Sequence, residues 1–127
     1  MNTEIFVYGT LQRGQRNHDL LLGQQFLGPA QTLPRYRLYD CGRHPALVDD
    51  PGNGVAVQGE AWQVSEETLQ KLDEYEGLPD YFSRRPILLQ DGDTAVEAYF
   101  FNGDVSGLKE CGDRWPAEEL ATDETQI

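Results

Sequence analysis

Only one stretch of this chain reads as a full helix with both start and stop signals, and that limits the fold more than any other feature. Ser65 is a good N-cap, and Glu66 and Glu67 after it suit the positive end of a helix dipole. Gly77 suits the C′ position, with Pro79 just beyond. Elsewhere the β-branched and aromatic residues fall into short runs cut by glycine and proline. Residues 4–8 read as a first strand that Gly9 ends. Asn17 is placed to cap a short helical turn through Leu22, closed by Gly23.

Further strands are expected over 25–32, 35–39, 46–48 and 55–64. A turn at Pro51-Gly52-Asn53-Gly54 precedes the last of these. Residues 82–90 and 94–101 flank Asp91-Gly92, a typical hairpin pair. A short ordered turn is expected over 106–111. Many short strands, one real helix and glycine-marked corners predict an α+β fold with a small mixed, partly closed β-barrel.

The 127 residues fit one domain, placed over 1–115 and followed by an acidic, flexible tail over 116–127. Twenty-two acidic residues against ten basic ones give a formal net charge of −12. That charge repels nucleic acid and anionic lipid, so neither is expected as a partner. No stretch approaches transmembrane length, and the opening residues lack the basic region and apolar run of an export signal. The expected setting is the cytoplasm, with Cys41 and Cys111 as reduced thiols. Nothing in the residues assigns an oligomeric state.

Two features carry chemistry. The first is the turn after the opening strand. Glycine directly after a buried strand lets backbone approach a ligand, and successive free N–H groups there make an anion-binding nest. Tyr8 can add a hydroxyl at its edge. The same residues also read as a plain tight turn. A nucleotide reading is poor, because Gln15 and Arg16 stand where a phosphate loop has Lys-Ser/Thr.

The second feature is Glu76. On a helix starting after Ser65, Leu69, Leu72 and Glu76 share a face, so this carboxyl projects along the apolar stripe. Glu66, Glu67 and Glu74 point elsewhere. A carboxylate in the last helical turn meets backbone carbonyls, and burial against leucines disfavours its charge. Both push the pKa upward, toward the range where a glutamate takes and gives a proton near neutrality. The alternative is a helix-end glutamate that reaches water or pairs with Arg84 or Arg85.

With these residues in place, the chain resembles the gamma-glutamylcyclotransferase-like family, most of all the branch containing gamma-glutamylaminecyclotransferase and small bacterial relatives. Ile5-Phe6-Val7-Tyr8-Gly9-Thr10-Leu11, then Arg13-Gly14 and Asn17, is similar to the family's opening. Tyr36-Arg37-Leu38-Tyr39 with Pro45-Ala46-Leu47-Val48 resembles a second signature, and Val57-Gln58-Gly59-Glu60-Ala61-Trp62 its Gly-Glu strand. Leu72-Asp73-Glu74-Tyr75-Glu76-Gly77 looks like the segment that carries the catalytic glutamate, and Gly107-Leu108-Lys109 with Gly112-Asp113 echoes the C-terminal end. The resemblance runs from Ile5 to about Trp115. One departure is visible. The family often has Tyr-x-Arg soon after that glutamate, and here Phe82-Ser83-Arg84 occupies the place, with Tyr81 one residue earlier.

The resemblance implies a transferase or lyase that releases 5-oxoproline and a free amine from a small gamma-glutamyl amide, with no metal and no organic cofactor. It implies Glu76 as the catalytic acid/base. The backbone of Gly9, Thr10 and Leu11 would hold the alpha-carboxylate, with Tyr8, Tyr81 and Arg84 as further substrate-binding residues. A non-catalytic module that binds a small carboxylate-bearing metabolite on the same fold is the alternative. Cys41-x-x-His44 beside Asp40 is only a partial metal pattern, with no completing ligand at the right spacing. Arg35, Arg37 and Arg43 are too few against so much acid to form a nucleic-acid patch.

Overall fold

A computed structural model of the protein describes residues 2–92 and 95–116. Among these described residues, eight strands and one α-helix follow in the order β1 (Asn2–Val7), a 3-10 turn (His18–Leu21), β2 (Gln25–Gln31), β3 (Tyr36–Asp40), β4 (Pro45–Asp49), β5 (Gln58–Ser65), α1 (Glu66–Tyr75), β6 (Phe82–Pro86), β7 (Glu97–Phe101) and β8 (Lys109–Gly112). They form a five-stranded sheet in the order β2-β5-β1-β7-β6 and a three-stranded sheet in the order β4-β3-β8. This is the mixed α+β class with one main helix. The two sheets are not closed into a barrel, so the partly closed barrel is not confirmed by the strand pairing.

The opening strand lies at the centre of the large sheet, antiparallel to β5 and parallel to β7. Its side chains explain that position. Ile5 and Val7 enter one apolar cluster with Leu69 and Leu72 of α1, while Phe6 and Tyr8 enter a second with Leu38 and Leu47 of the small sheet. A strand covered on both faces reads as a continuous apolar run, which is what Ile5-Phe6-Val7-Tyr8 is. The same alternation on β7 sends Ala98 and Phe100 to one cluster and Tyr99 to the other. Phe6 and Phe100 are fully buried, and such side chains contribute about 1.5–3 kcal/mol each.

Several expectations shift in detail. The hairpin forms, but its strands are shorter than 82–90 and 94–101, since the ladder of β6 and β7 ends at Pro86↔Glu97. Past it Ile87 N–H still donates to the Val96 carbonyl at 3.0 Å, but the next residues turn to the segment after β2, where Leu33 N–H donates to the Leu88 carbonyl at 2.9 Å. Thr94 and, apart from Pro116, the acidic tail lie outside the described residues. Residues 109–112, expected within and just beyond an ordered turn, instead form β8 and pair with β3. Asn17 stands at the N-cap of the 3-10 turn but makes no capping bond with its side chain, because its amide donates to the Tyr75 hydroxyl. Among the described residues, no helix is long and apolar enough to cross a membrane. Cys41 and Cys111 form no disulfide.

Candidate active site

The turn after β1 and the end of α1 face one cleft of about 210 Å³. Its floor is the run from Phe6 to Leu11. Around it stand Arg16, His44, Pro45, Tyr75, Glu76, Tyr81, Phe82 and Tyr99.

The turn is built from its carbonyls outward. Gln12 N–H donates to the Gly9 carbonyl at 3.1 Å, and Asn17 N–H to the Thr10 carbonyl at 3.0 Å. His18 Nδ1 donates to the Leu11 carbonyl at 3.0 Å. None of these bonds uses the N–H of Gly9, Thr10 or Leu11, and all three residues line the cleft. Glycine is required at position 9 because a Cβ there would sit 2.7 Å from Cδ and Cγ of Pro45. Glu60 holds the loop from below. This buried carboxylate of β5 accepts Arg13 N–H at 3.1 Å, Arg13 Nε at 3.2 Å and Trp62 Nε1 at 3.1 Å. The Arg13 guanidinium lies 3.8 Å above the Phe26 ring, which fixes its other face.

Glu76 comes to the cleft through the way α1 stops. Gly77 takes φ 73°, its N–H donates to the Glu74 carbonyl at 3.1 Å, and Leu78 N–H donates to the Asp73 carbonyl at 3.1 Å. That pair of bonds is a Schellman closure with Glu76 as the C-cap. Leu72 is fully buried on the same face and pulls the stripe inward. Burial raises the Glu76 pKa from its ordinary 4.5 to about 7. Among the described residues no hydrogen bond or ion pair engages the carboxyl. Burial of each hydroxyl raises the pKa values of Tyr8, Tyr81 and Tyr99, and the negative charge of Glu76 adds to this, behind the hydrogen bond to Asp73 at Tyr99 and the Cys41 thiol at Tyr81.

The pairing of Glu76 with Arg84 or Arg85 does not occur. Arg84 places Nε and Nη2 on Asp73, at 2.9 and 3.0 Å, and Nη1 on Glu97 at 2.5 Å. Arg85 pairs with Asp49 at 2.9 Å. Arg84 is also not among the residues lining the cleft, so its expected substrate contact is replaced by a network behind the site. Tyr8 lines the cleft with its ring, but its hydroxyl is buried and donates to the Tyr99 carbonyl at 2.5 Å. It therefore adds no free hydroxyl at the edge of the turn.

Tyr81 lines the cleft, and its hydroxyl lies 3.0 Å from His44 Nε2. His44 Nδ1 lies 2.9 Å from the Pro45 carbonyl, which only accepts, so Nδ1 carries the hydrogen. In the neutral ring Nε2 then accepts from Tyr81. Phe82 packs in the core beside it. Arg16 and His44 were not marked by sequence as cleft residues. They come from different loops, and no local spacing signals their meeting. Among the described residues, no group of His, Cys, Asp and Glu is disposed to hold a metal ion.

Fold and cleft together define a small single-helix α+β domain in which the first strand-turn faces a half-buried carboxyl at the helix end. The chain belongs to the gamma-glutamyl cyclotransferase, AIG2-like family, whose model matches residues 5–118. It is 45% identical over 87 residues to the gamma-glutamylaminecyclotransferase of Bos taurus, an alignment that covers 63% of this chain and 52% of that protein. A Vibrio cholerae protein provisionally named gamma-glutamylcyclotransferase is 38% identical over 109 residues, covering 86% of this chain and 92% of the relative. Among solved structures, an AIG2-like protein from Mus musculus superposes with a TM-score of 0.79 at 29% identity, over 92% of this chain and 90% of that one.

Proposed function

We propose that this protein is a gamma-glutamyl(amine) cyclotransferase that works in the cytoplasm without metal or organic cofactor. It releases 5-oxoproline and a free amine from a gamma-glutamyl amide. The reading rests on one observation: a carboxyl held near pKa 7 by burial opens onto the same cleft as the turn Gly9-Thr10-Leu11.

The N–H groups of that turn receive the alpha-carboxylate of the glutamyl group. Ionised Glu76 removes a proton from the alpha-ammonium, and the freed nitrogen attacks its own gamma-carbonyl carbon. The new carbon–nitrogen bond closes the five-membered ring. The old amide bond breaks as Glu76 returns the proton to the leaving nitrogen. A second proton follows the same route, so the attacking nitrogen gives up two and the amine departs as an ammonium, with no net proton released. Tyr81 sits where it can contact the substrate, positioned by His44. Because attack is intramolecular, holding the substrate folded can contribute about 7–11 kcal/mol, and a tuned acid/base about 10²- to 10⁴-fold.

The test is incubation with gamma-glutamyl-epsilon-lysine, gamma-glutamyl amino acids and polyamine conjugates, with and without a chelator, and assay of 5-oxoproline. The parent protein forms 5-oxoproline equally well with chelator, and Glu76→Gln forms essentially none while keeping its fold. Turnover by Glu76→Gln at the parent's rate overturns the residue assignment. Failure of the parent on the whole panel overturns the reaction.

A further inference from the structure

Position 82, where β6 begins, holds a phenylalanine whose buried ring has no hydroxyl to offer. The hydroxyl that meets the cleft there belongs to Tyr81. Tyr81 is 49% exposed, yet it is held from several sides. Its N–H donates to the Gly77 carbonyl at 2.8 Å, and its carbonyl accepts Asn102 N–H at 3.1 Å. Its ring meets those of Phe101 and His44 edge-on, with centroids 5.3 and 5.7 Å apart. Packing of that kind costs a half-exposed side chain its rotamer freedom with little burial to offset it.

Two bonds in series set the polarity of the hydroxyl. The Pro45 carbonyl only accepts, so His44 Nδ1 carries the ring hydrogen and Nε2, 3.0 Å from the Tyr81 hydroxyl, accepts. The Tyr81 hydrogen is thereby engaged by His44, and the oxygen turns lone pairs alone to the cleft. Burial, then the Cys41 thiol, then the charge of Glu76 raise the pKa of Tyr81, so the hydroxyl keeps its proton and lies within electrostatic reach of the Glu76 carboxyl. Lone pairs beside the carboxylate that deprotonates the substrate suit an ammonium, whereas a developing oxyanion needs a donor. We propose that His44 is a positioning residue: it engages the Tyr81 hydrogen and so makes the Tyr81 oxygen an acceptor for the alpha-ammonium of the substrate. This inference rests on the cyclotransferase reading. It gives Tyr81 a binding role and removes it as a donor to the oxyanion.

The experiment uses the gamma-glutamyl amide that the parent turns over fastest, together with its glutaryl analogue, which lacks the alpha-ammonium and is measured as an inhibitor. Tyr81→Phe lowers kcat/KM roughly ten- to a hundredfold, the range for one hydrogen bond to a charged group. His44→Phe keeps a ring against Tyr81 but no acceptor, and lowers it about three- to tenfold, the range for a neutral bond. His44→Gln, whose amide oxygen can accept in place of Nε2, recovers most of that loss. In the Tyr81→Phe background, His44→Phe costs less than about twofold more, because its partner is already gone. Inhibition by the glutaryl analogue shifts by less than about twofold in every variant. His44→Asn, too short to reach the hydroxyl, replaces His44→Phe if thermal unfolding shows that variant unfolded. Independent losses in the double variant, a Tyr81→Phe or His44→Phe that matches the parent, a His44→Gln no better than His44→Phe, or an equal loss of glutaryl binding each overturn the inference and leave the cyclotransferase reading standing. No 5-oxoproline from the parent on any amide overturns that reading and this inference with it.

Discussion

The hydroxyl of Tyr99 donates to Oδ1 of Asp73 at 2.7 Å, and this bond ties β7 of the large sheet to the last turns of α1, three residues before Glu76. The same carboxylate takes both forks of Arg84 from β6. Asp73 is thus the peg that sets how the helix end meets the sheet, and the position of Glu76 follows from it.

Removing that peg should loosen both fold and site. Asp73→Ala leaves the Arg84 guanidinium and the Tyr99 hydroxyl without their main acceptor and is expected to lower stability by about 2–4 kcal/mol. Tyr99→Phe removes one bond and leaves the Arg84 fork, so about 1 kcal/mol is expected. Urea unfolding of the two variants checks the ranking. A larger loss in Tyr99→Phe than in Asp73→Ala contradicts it.

Glu76 makes stability depend on pH in the direction opposite to a salt-bridged acid. Its folded-state pKa of about 7 lies above its ordinary 4.5, so the folded state holds the proton more tightly. That contribution is complete below pH 4.5 and is lost as pH rises through 7. Glu76→Gln is always neutral there. It is therefore expected to match the parent below pH 4.5 and to exceed it above pH 7, by at most about 3 kcal/mol at 1.36 kcal/mol per pH unit. Denaturation midpoints across that range test this, and kcat/KM of the parent should fall as pH drops below about 7.

The approach of Pro45 to the turn predicts a specific rescue. Gly9→Ala drives a methyl group into the proline ring, 2.7 Å away, with an expected loss of about 1–3 kcal/mol and displacement of the N–H groups. Adding Pro45→Ala opens space for that methyl and should recover part of the stability. The double variant, measured by thermal unfolding beside each single one, shows the coupling as non-additivity. Additive losses would mean that the clash is relieved elsewhere.

Glu60 touches three donors of the loop and of Trp62 but is absent from the cleft lining. Glu60→Ala is expected to destabilise by about 2–3 kcal/mol, through the buried donors it strands. It should raise KM for a gamma-glutamyl substrate more than it lowers kcat, because in the proposed mechanism the turn binds and Glu76 transfers the proton. A fall in kcat alone at unchanged KM would place Glu60 in the chemistry instead.

Much of the scaffold was legible because its signals are local. Ser65 caps α1, Gly77 ends it, and the spacing of Leu69, Leu72 and Glu76 put the carboxyl on the apolar stripe, all within one helix. The strand at Ile5 to Val7 was clear for the same reason. The short strand at the end of the chain was not, because Lys109-Glu110-Cys111-Gly112 has no apolar alternation and becomes a strand only by pairing with β3. The partly closed barrel that local pattern suggested is not confirmed by the strand order, since strand order across a sheet is set by distant partners.

By itself, the amino-acid order determined where the helix stops and that an acid would ride its buried face, because capping and periodicity act over a few residues. Which cations meet which acids was decided only by tertiary packing. Arg84 and Asp73 are eleven residues apart, Arg13 and Glu60 forty-seven, and only the folded chain turns Arg84 away from the cleft while leaving Arg16 at its rim. Charge pairing depends on distances in space, and those exist only once the sheets and the helix have packed.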